Sequence, residues 1–328
     1  MPVLSQGERD ALTVEHFIFH VVHHGGDEPI LFESTPIGDF ERFFVGRIVD
    51  TLSGNRFVFS EGSETHAALR TAEADPTQFV EMSKTLARRF HRNDGRFQRG
   101  ILIVTALRAG DRRFHSLIKY DHERMVAFEV IDAGAALRDV VNGLTESRKA
   151  LQKSALIELG DAGGDLVVVD RSKPTGITDF FREFLQAERL HGEGEMTATL
   201  AKALVRTVRD HADALPVAIT AHVRPRLVEI ARQRPDFEPD VFFTDFFGAH
   251  GSEAVRTGFD ANLARLGLDG ESFTFEPAAL PAVGQRRFRT REGVSIVVPE
   301  QASDTVAFEP QEDGSTVVRI RTGHVTER

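Results

Sequence analysis

The chain contains no cysteine, no tryptophan and a single tyrosine. Without cysteine there can be no disulfide, no thiolate metal site and no thiol nucleophile, and a reducing compartment is the natural setting. Lysine is scarce, with 6 residues against 34 arginines. Base composition alone can produce that ratio, so any signal lies in where the arginines cluster. Long apolar runs are also missing. The longest span about eight residues, far below the roughly 20 that a membrane helix needs. The opening MPVLSQGERD lacks a basic segment followed by an apolar stretch. The expectation is a soluble cytoplasmic protein without a secretory signal.

What the chain has in excess is phenylalanine, 26 residues, most of which must be core. Its 328 residues are long enough for two domains. The formal net charge is −10, but it is distributed in segments. Residues 1 to 83 carry 14 acidic and 5 basic side chains. The block 84 to 115 reverses this, with nine cations (Lys84, Arg88, Arg89, Arg92, Arg96, Arg99, Arg108, Arg112, Arg113) against Asp94 and Asp111. Residues 202 to 234 are again basic, 235 to 276 acidic, and Arg286, Arg287, Arg289 and Arg291 follow. Cations concentrated against the global trend point to an anionic partner, of which nucleic acid is the commonest.

Periodicity places these residues. EHFIFHVVHH, the turn GGDE and PILFES predict a hairpin. Phe40, Phe43, Phe44 and Ile48 have helical spacing, and NRFVFS is a short strand. Asp75 and Pro76 open a helix whose apolar face is Phe79, Met82, Leu86 and Phe90. Lys84, Arg88 and Arg92, at i, i+4 and i+8, form a separate stripe on it. GILIVTAL, FHSLIKY, RMVAFEVI and DLVVVD are strands, and residues 134 to 159 are ambiguous. Beyond Gly176 the period becomes helical, in TDFFREFLQAERL, MTATLAKALVRTVRDHADAL, roughly 217 to 233, and VFFTDFFGAHG. Strands return in FTFEP, RRFRTR, GVSIVVP, TVAFEP and TVVRIRT. The expected fold is α+β. A sheet domain of mixed, largely antiparallel type with a basic helix spans 1–170, and a helical domain ending in antiparallel strands spans 176–328.

Catalytic signatures are missing. No Walker-type loop, Gly-x-Gly-x-x-Gly, Gly-x-Ser-x-Gly, His-Glu-x-x-His or Asp/Glu-x-Lys triplet occurs. Glu129 with Asp132, or Asp165 and Asp170 with Lys173, are the carboxylates that could still form a divergent metal site. His16, His20 and His24 share a face if extended, but His16 and His20 alone then lie roughly 13 Å apart, too far for one ion. No cofactor and no bound metal are expected.

Three stretches carry a resemblance. FVFSEGSETHAALR, residues 57 to 70, runs an aromatic strand into a helix. TDFFREFLQA spans 178 to 187. The C-terminal series is FFTDFFGAHG, GVSIVVP and DTVAFEPQEDGSTVVRIRTG. In this order they resemble the bacterial 37-kDa nucleoid-associated protein family (NdpA-like) over nearly the whole chain, with 134 to 163 departing from it. The resemblance implies a place at the nucleoid and binding of nucleic acid without an established catalytic motif. The expected role is non-sequence-specific binding of DNA, with RNA as a further candidate. The expected contacts are Lys84, Arg88, Arg89, Arg92, Arg96, Arg99, Arg112 and Arg113, then Arg286, Arg287, Arg289 and Arg291. Two rivals stand beside it: a protein-interaction or DNA-mimic module that docks a DNA-handling partner, and a divergent metal-dependent nuclease acting in phage defence. A homodimer is compatible with either binding role.

Overall fold

The computed structural model describes residues 4–121, 123–131, 134–144, 151–160, 163–281, 285–299, 302, 305–311 and 315–324. They pack as two units. The first comprises Met1–Gly192 with Gly270–Phe273, and the second Glu193–Asp269 with Thr274–Arg328. The first unit thus runs past the change of period at Gly176.

The first unit opens with α1 (Gln6–Asp10), β1 (Thr13–Val22), α2 (Glu41–Asp50), β2 (Asn55–Phe59), α3 (Glu64–Ala74) and α4 (Phe79–Phe90). It continues with β3 (Gly100–Ala109), β4 (Arg112–Asp121), β5 (Glu123–Ile131), β6 (Gly134–Gly143), β7 (Leu151–Gly160) and β8 (Gly163–Asp170). It ends with α5 (Asp179–Leu185) and β9 (Ala187–Arg189). Seven strands form one sheet in the order β1-β3-β4-β7-β8-β2-β9. Each of its pairings is antiparallel. β5 and β6 form a separate hairpin between β4 and β7.

GILIVTAL reads as an unbroken apolar run because β3 is covered on both faces. Leu102, Val104 and Ala106 face a core shared with Leu69, Phe79, Leu86, Phe90 and Phe181 from α3, α4 and α5. Ile101, Ile103 and Leu107 face a second core with Phe44 and Ile48 of α2. Alternate residues therefore enter different cores, and neither face needs polar side chains. The helices start where the sequence supplies caps. Asp75 accepts from the Thr77 amide ahead of α4, with Pro76 in the first turn, and Ser63 caps α3. Ser63 and Thr65 hydroxyls also donate to the carbonyls of Leu185 and Phe184. The first two family-like stretches are thereby tied together.

Three expectations change. PILFES does not return as a strand. Val21 makes one bridge with Ile30 on the outer edge of β1, whose other edge pairs with β3 along its length. The ambiguous 134–159 region contains β6 and β7. The helix expected over 217–233 is divided into α7 (Val217–Thr220) and α8 (Val223–Gln233), with Pro225 in the first turn of α8, where a missing N–H costs no helical bond.

The second unit holds α6 (Glu193–Asp210), α7, α8, β10 (Asp236–Phe237), α9 (Pro239–Phe247) and α10 (Glu253–Arg265). The two-residue β11 (Phe273–Thr274) straddles the boundary between the units. Phe242, Phe246, Phe247 and Phe259 pack ring against ring in the helical core. Two antiparallel hairpins follow, β12 (Gln285–Arg289) with β13 (Ser295–Pro299), and β14 (Val306–Pro310) with β15 (Thr316–Ile320). The fold is α+β, an antiparallel sheet with helices followed by helices and short strands.

Candidate nucleic-acid interface

The apolar face of α4 is buried as the spacing predicts, through Phe79, Met82, Leu86 and Phe90. The three cations on its other side do different things. Lys84 Nζ donates to Glu33 at 2.7 Å and Glu81 at 2.9 Å, and its side chain is only 14% exposed. Those hydrogen bonds raise the Lys84 pKa. Arg92 turns back and donates to the carbonyls of Arg89 and His91 at 2.7 and 2.8 Å, which supplies donors to the unpaired end of the helix. Its guanidinium also lies 5.1 Å from the Phe180 ring centroid. Arg88 is exposed and forms no ion pair with a described residue. Arg89 reaches Glu64 at 3.2 Å and Thr65 Oγ1 at 2.8 Å, joining α4 to α3.

The rest of the basic block is split by β3. Arg96 and Arg99 lie just before this strand and Arg112 and Arg113 just after its turn, so ten extended residues, about 30 Å, separate them. They are not neighbours on one patch, although the sequence spacing suggested it. Arg96 is 86% exposed and clasps Asp94 at 2.6 Å. Arg99 is exposed and makes no ion pair with a described residue. Arg112 sits between Glu8 at 2.6 Å and Glu158 at 2.7 Å, and its hydrogen bond holds the Glu8 carboxyl down at about 2. Arg113 is 3.9 Å from Glu15. In the second unit the strand ends at Arg289, so exposed Arg291 lies in the following turn rather than on a shared strand face. Arg286 and Arg287 are described by backbone pairing alone, opposite Val298 and Val297.

The candidate metal residues do not converge. Asp170 is committed to Lys153 Nζ at 2.6 Å, Thr178 Oγ1 at 2.7 Å and the amides of Ser172 and Thr178. Asp165 lies five residues away along β8, roughly 16 Å in an extended strand. Glu129 is described by backbone alone, and Asp132 lies outside the described residues. His16 stacks on Phe79, His20 bonds Ser83, and His24 bonds the Glu28 carbonyl. Among the described residues no three His, Asp or Glu side chains are grouped for a metal ion.

A cleft that sequence spacing does not reveal opens on the α4 and α5 side of the sheet, with a volume of about 270 Å³. Its polar floor is Lys119 of β4 and Lys153 of β7, which stand directly opposite each other in the strand register. They are 34 positions apart in the chain, and only the sheet pairs them. Lys119 is 6% exposed and donates to Asp121 and to the Gln98 carbonyl at 2.8 Å. Burial lowers its pKa, which the Asp121 pairing opposes. Half-buried Phe97 and Phe180 form one wall, their centroids 4.6 Å apart, and Arg96 stands at the rim. A larger depression of about 510 Å³ in the second unit has a mixed lining that includes His222, Arg226, Glu229, Arg232 and Asp245.

No described helix is long and apolar enough to cross a membrane. No curated protein matches the chain. The basic block, the antiparallel sheet and the serial order of the Phe-rich helices and final hairpins coincide with one finding. Over residues 18–313 the sequence matches the family model described as nucleoid-associated protein YejK, and the chain belongs to that family.

Proposed function

We propose that the protein binds nucleic acid without reading sequence, as part of the nucleoid-associated role that its family carries. One observation supports this most. Arg88, Arg96 and Arg99 are exposed along the path from the last turn of α4 to the start of β3, beside the cleft floored by Lys119 and Lys153, in a chain of net charge −10. Cations in such a row meet successive phosphates and position a protein on the backbone, which carries no sequence information. Exposed Arg289 and Arg291 are a second contact. Lys84, Arg89, Arg92 and Arg112 contribute by holding this surface, since each is half-buried with partners inside the first unit, whereas Arg96 stays exposed beside Asp94. Binding rather than catalysis is proposed because Asp165 and Asp170 are spread along one strand and Asp170 is consumed by local bonds.

The test is a fluorescence-anisotropy titration on duplex DNA, with RNA alongside, at several salt concentrations. Combined Arg88→Glu, Arg96→Glu and Arg99→Glu should weaken binding to unrelated sequences equally. The log–log salt slope should shrink by about 0.9 for each lost duplex contact. A folded triple variant with unchanged affinity and slope would remove this surface from the interface.

A further inference from the structure

The cleft between β4, β7 and the loop before β3 has a feature that a plain structural role does not explain. Lys119 and Lys153 face each other across adjacent strands. Like charges directly opposed in a sheet are destabilising, and burial makes them more so. Each is held by a carboxylate, Asp121 for Lys119 and Asp170 for Lys153. Each also hydrogen-bonds a second described group, the Gln98 carbonyl for Lys119 and Thr178 Oγ1 for Lys153, and Lys153 Nζ lies 5.6 Å from the Phe181 ring centroid, so each ammonium has one N–H not hydrogen-bonded to a described residue. Gly100 lets β3 pass close to Lys119, since a Cβ there would lie 2.8 Å from Lys119 Nζ and 2.1 Å from the Tyr120 carbonyl oxygen. The cleft lining holds three cations, Lys119, Lys153 and Arg96, each paired with a carboxylate, Asp121, Asp170 and Asp94.

The opposite wall is aromatic. Phe97 and Phe180 are half-buried where the other phenylalanines of α4 and α5 are sealed in the core. Arg92 covers one face of Phe180, while Phe97, from the loop before β3, stacks on His23 at 5.0 Å and meets Phe180 at 4.6 Å, leaving its exposed edge toward the cleft. Aromatic faces next to spare ammonium donors are the combination that holds a base by stacking and its phosphate by charge. About 270 Å³ is below the range for drug-sized ligands and admits one such unit, not a paired helix.

We propose that this cleft takes a single unpaired nucleotide of a bound strand, with the base against Phe97 and the phosphate at Lys119 and Lys153, so that the protein favours single-stranded over duplex nucleic acid. The inference rests on the nucleic-acid reading above and adds to it an entry point for an extruded base.

The experiment compares labelled single strands, DNA and RNA, with a duplex of the same sequence on the full chain by anisotropy. The single strand should bind more tightly. Phe97→Ala should lose about 5- to 150-fold of single-strand affinity and leave duplex binding unchanged, and Phe97→Tyr should retain it. Equal loss on both substrates, or none on either, overturns the cleft while the arginine surface stands. Absence of binding to any strand overturns both readings. A mononucleotide that displaces the strand at micromolar concentration would assign the cleft to free nucleotide and overturn strand capture. A measurement independent of folding in the variant is photo-crosslinking of bromouridine-substituted RNA to the unaltered protein. Crosslinked peptides should contain Phe97 or Phe180, and crosslinks confined to other segments would refute the proposal.

Discussion

His20 is fully buried between β1 and α4. Its Nδ1 accepts the Phe32 amide at 3.1 Å, so Nε2 carries the proton and donates to Ser83 Oγ at 3.1 Å. Ser83 in turn donates to the Val80 carbonyl. Burial, with Lys84 and Arg88 nearby, pushes the His20 pKa down to about 4, and burial does the same for His23. The unfolded chain therefore binds more protons between pH 6.5 and 4, and stability rises with pH across that window. Acidification from 7 to 4 should cost on the order of 3 kcal/mol per histidine. Urea titrations across this range should show the loss, and His20→Gln should flatten the profile. A second residue-scale prediction concerns Glu271, a buried carboxylate that accepts the Arg56 amide at 3.0 Å and Arg189 Nη2 at 2.6 Å. Burial raises its pKa against the pull of Arg189. Arg189→Met would strand that charge and should destabilise the first unit by about 3–5 kcal/mol in chemical denaturation. None of this is visible in sequence, because Arg189 and Glu271 are 82 positions apart.

At the scale of elements, α4 was the most legible part of the chain. Its Asp-Pro start, its apolar spacing and its length all follow from local rules, and the helix is where they place it. Asp75→Ala should lower stability slightly through the lost cap. Phe90→Ala should cost about 3–5 kcal/mol, since Phe90 is fully buried against Phe180, Phe181 and Phe184. Thermal denaturation of the two variants should rank them in that order. The fate of the stripe on α4 was less legible. Periodicity says which residues share a face but not which carboxylate stands across from it, and Glu33 is 51 positions from Lys84. β7, within the ambiguous 134–159 region, was hard to read for a related reason. Lys153 interrupts an apolar strand, and its place makes sense only once Asp170 and Lys119 flank it.

At the scale of the whole molecule, the segmental charge has two outcomes. Acidic side chains from the first 83 residues and basic ones from 84 to 115 partly neutralise each other, as Glu8 does Arg112, Glu15 Arg108 and Glu33 Lys84. What is left over is concentrated before β3. A salt titration of the unaltered protein should therefore show a slope set by a few phosphate contacts, not by the nine cations of the block. Local composition and spacing determined the α+β class, the helix starts and most strands, because caps, turns and hydrophobic periods act over a few residues. Tertiary structure decided which strand β1 pairs with, which arginines remain exposed, and that Lys119 and Lys153 meet above a cleft beside Phe97. Those depend on sheet register and long-range packing, which bring together residues that no local pattern relates.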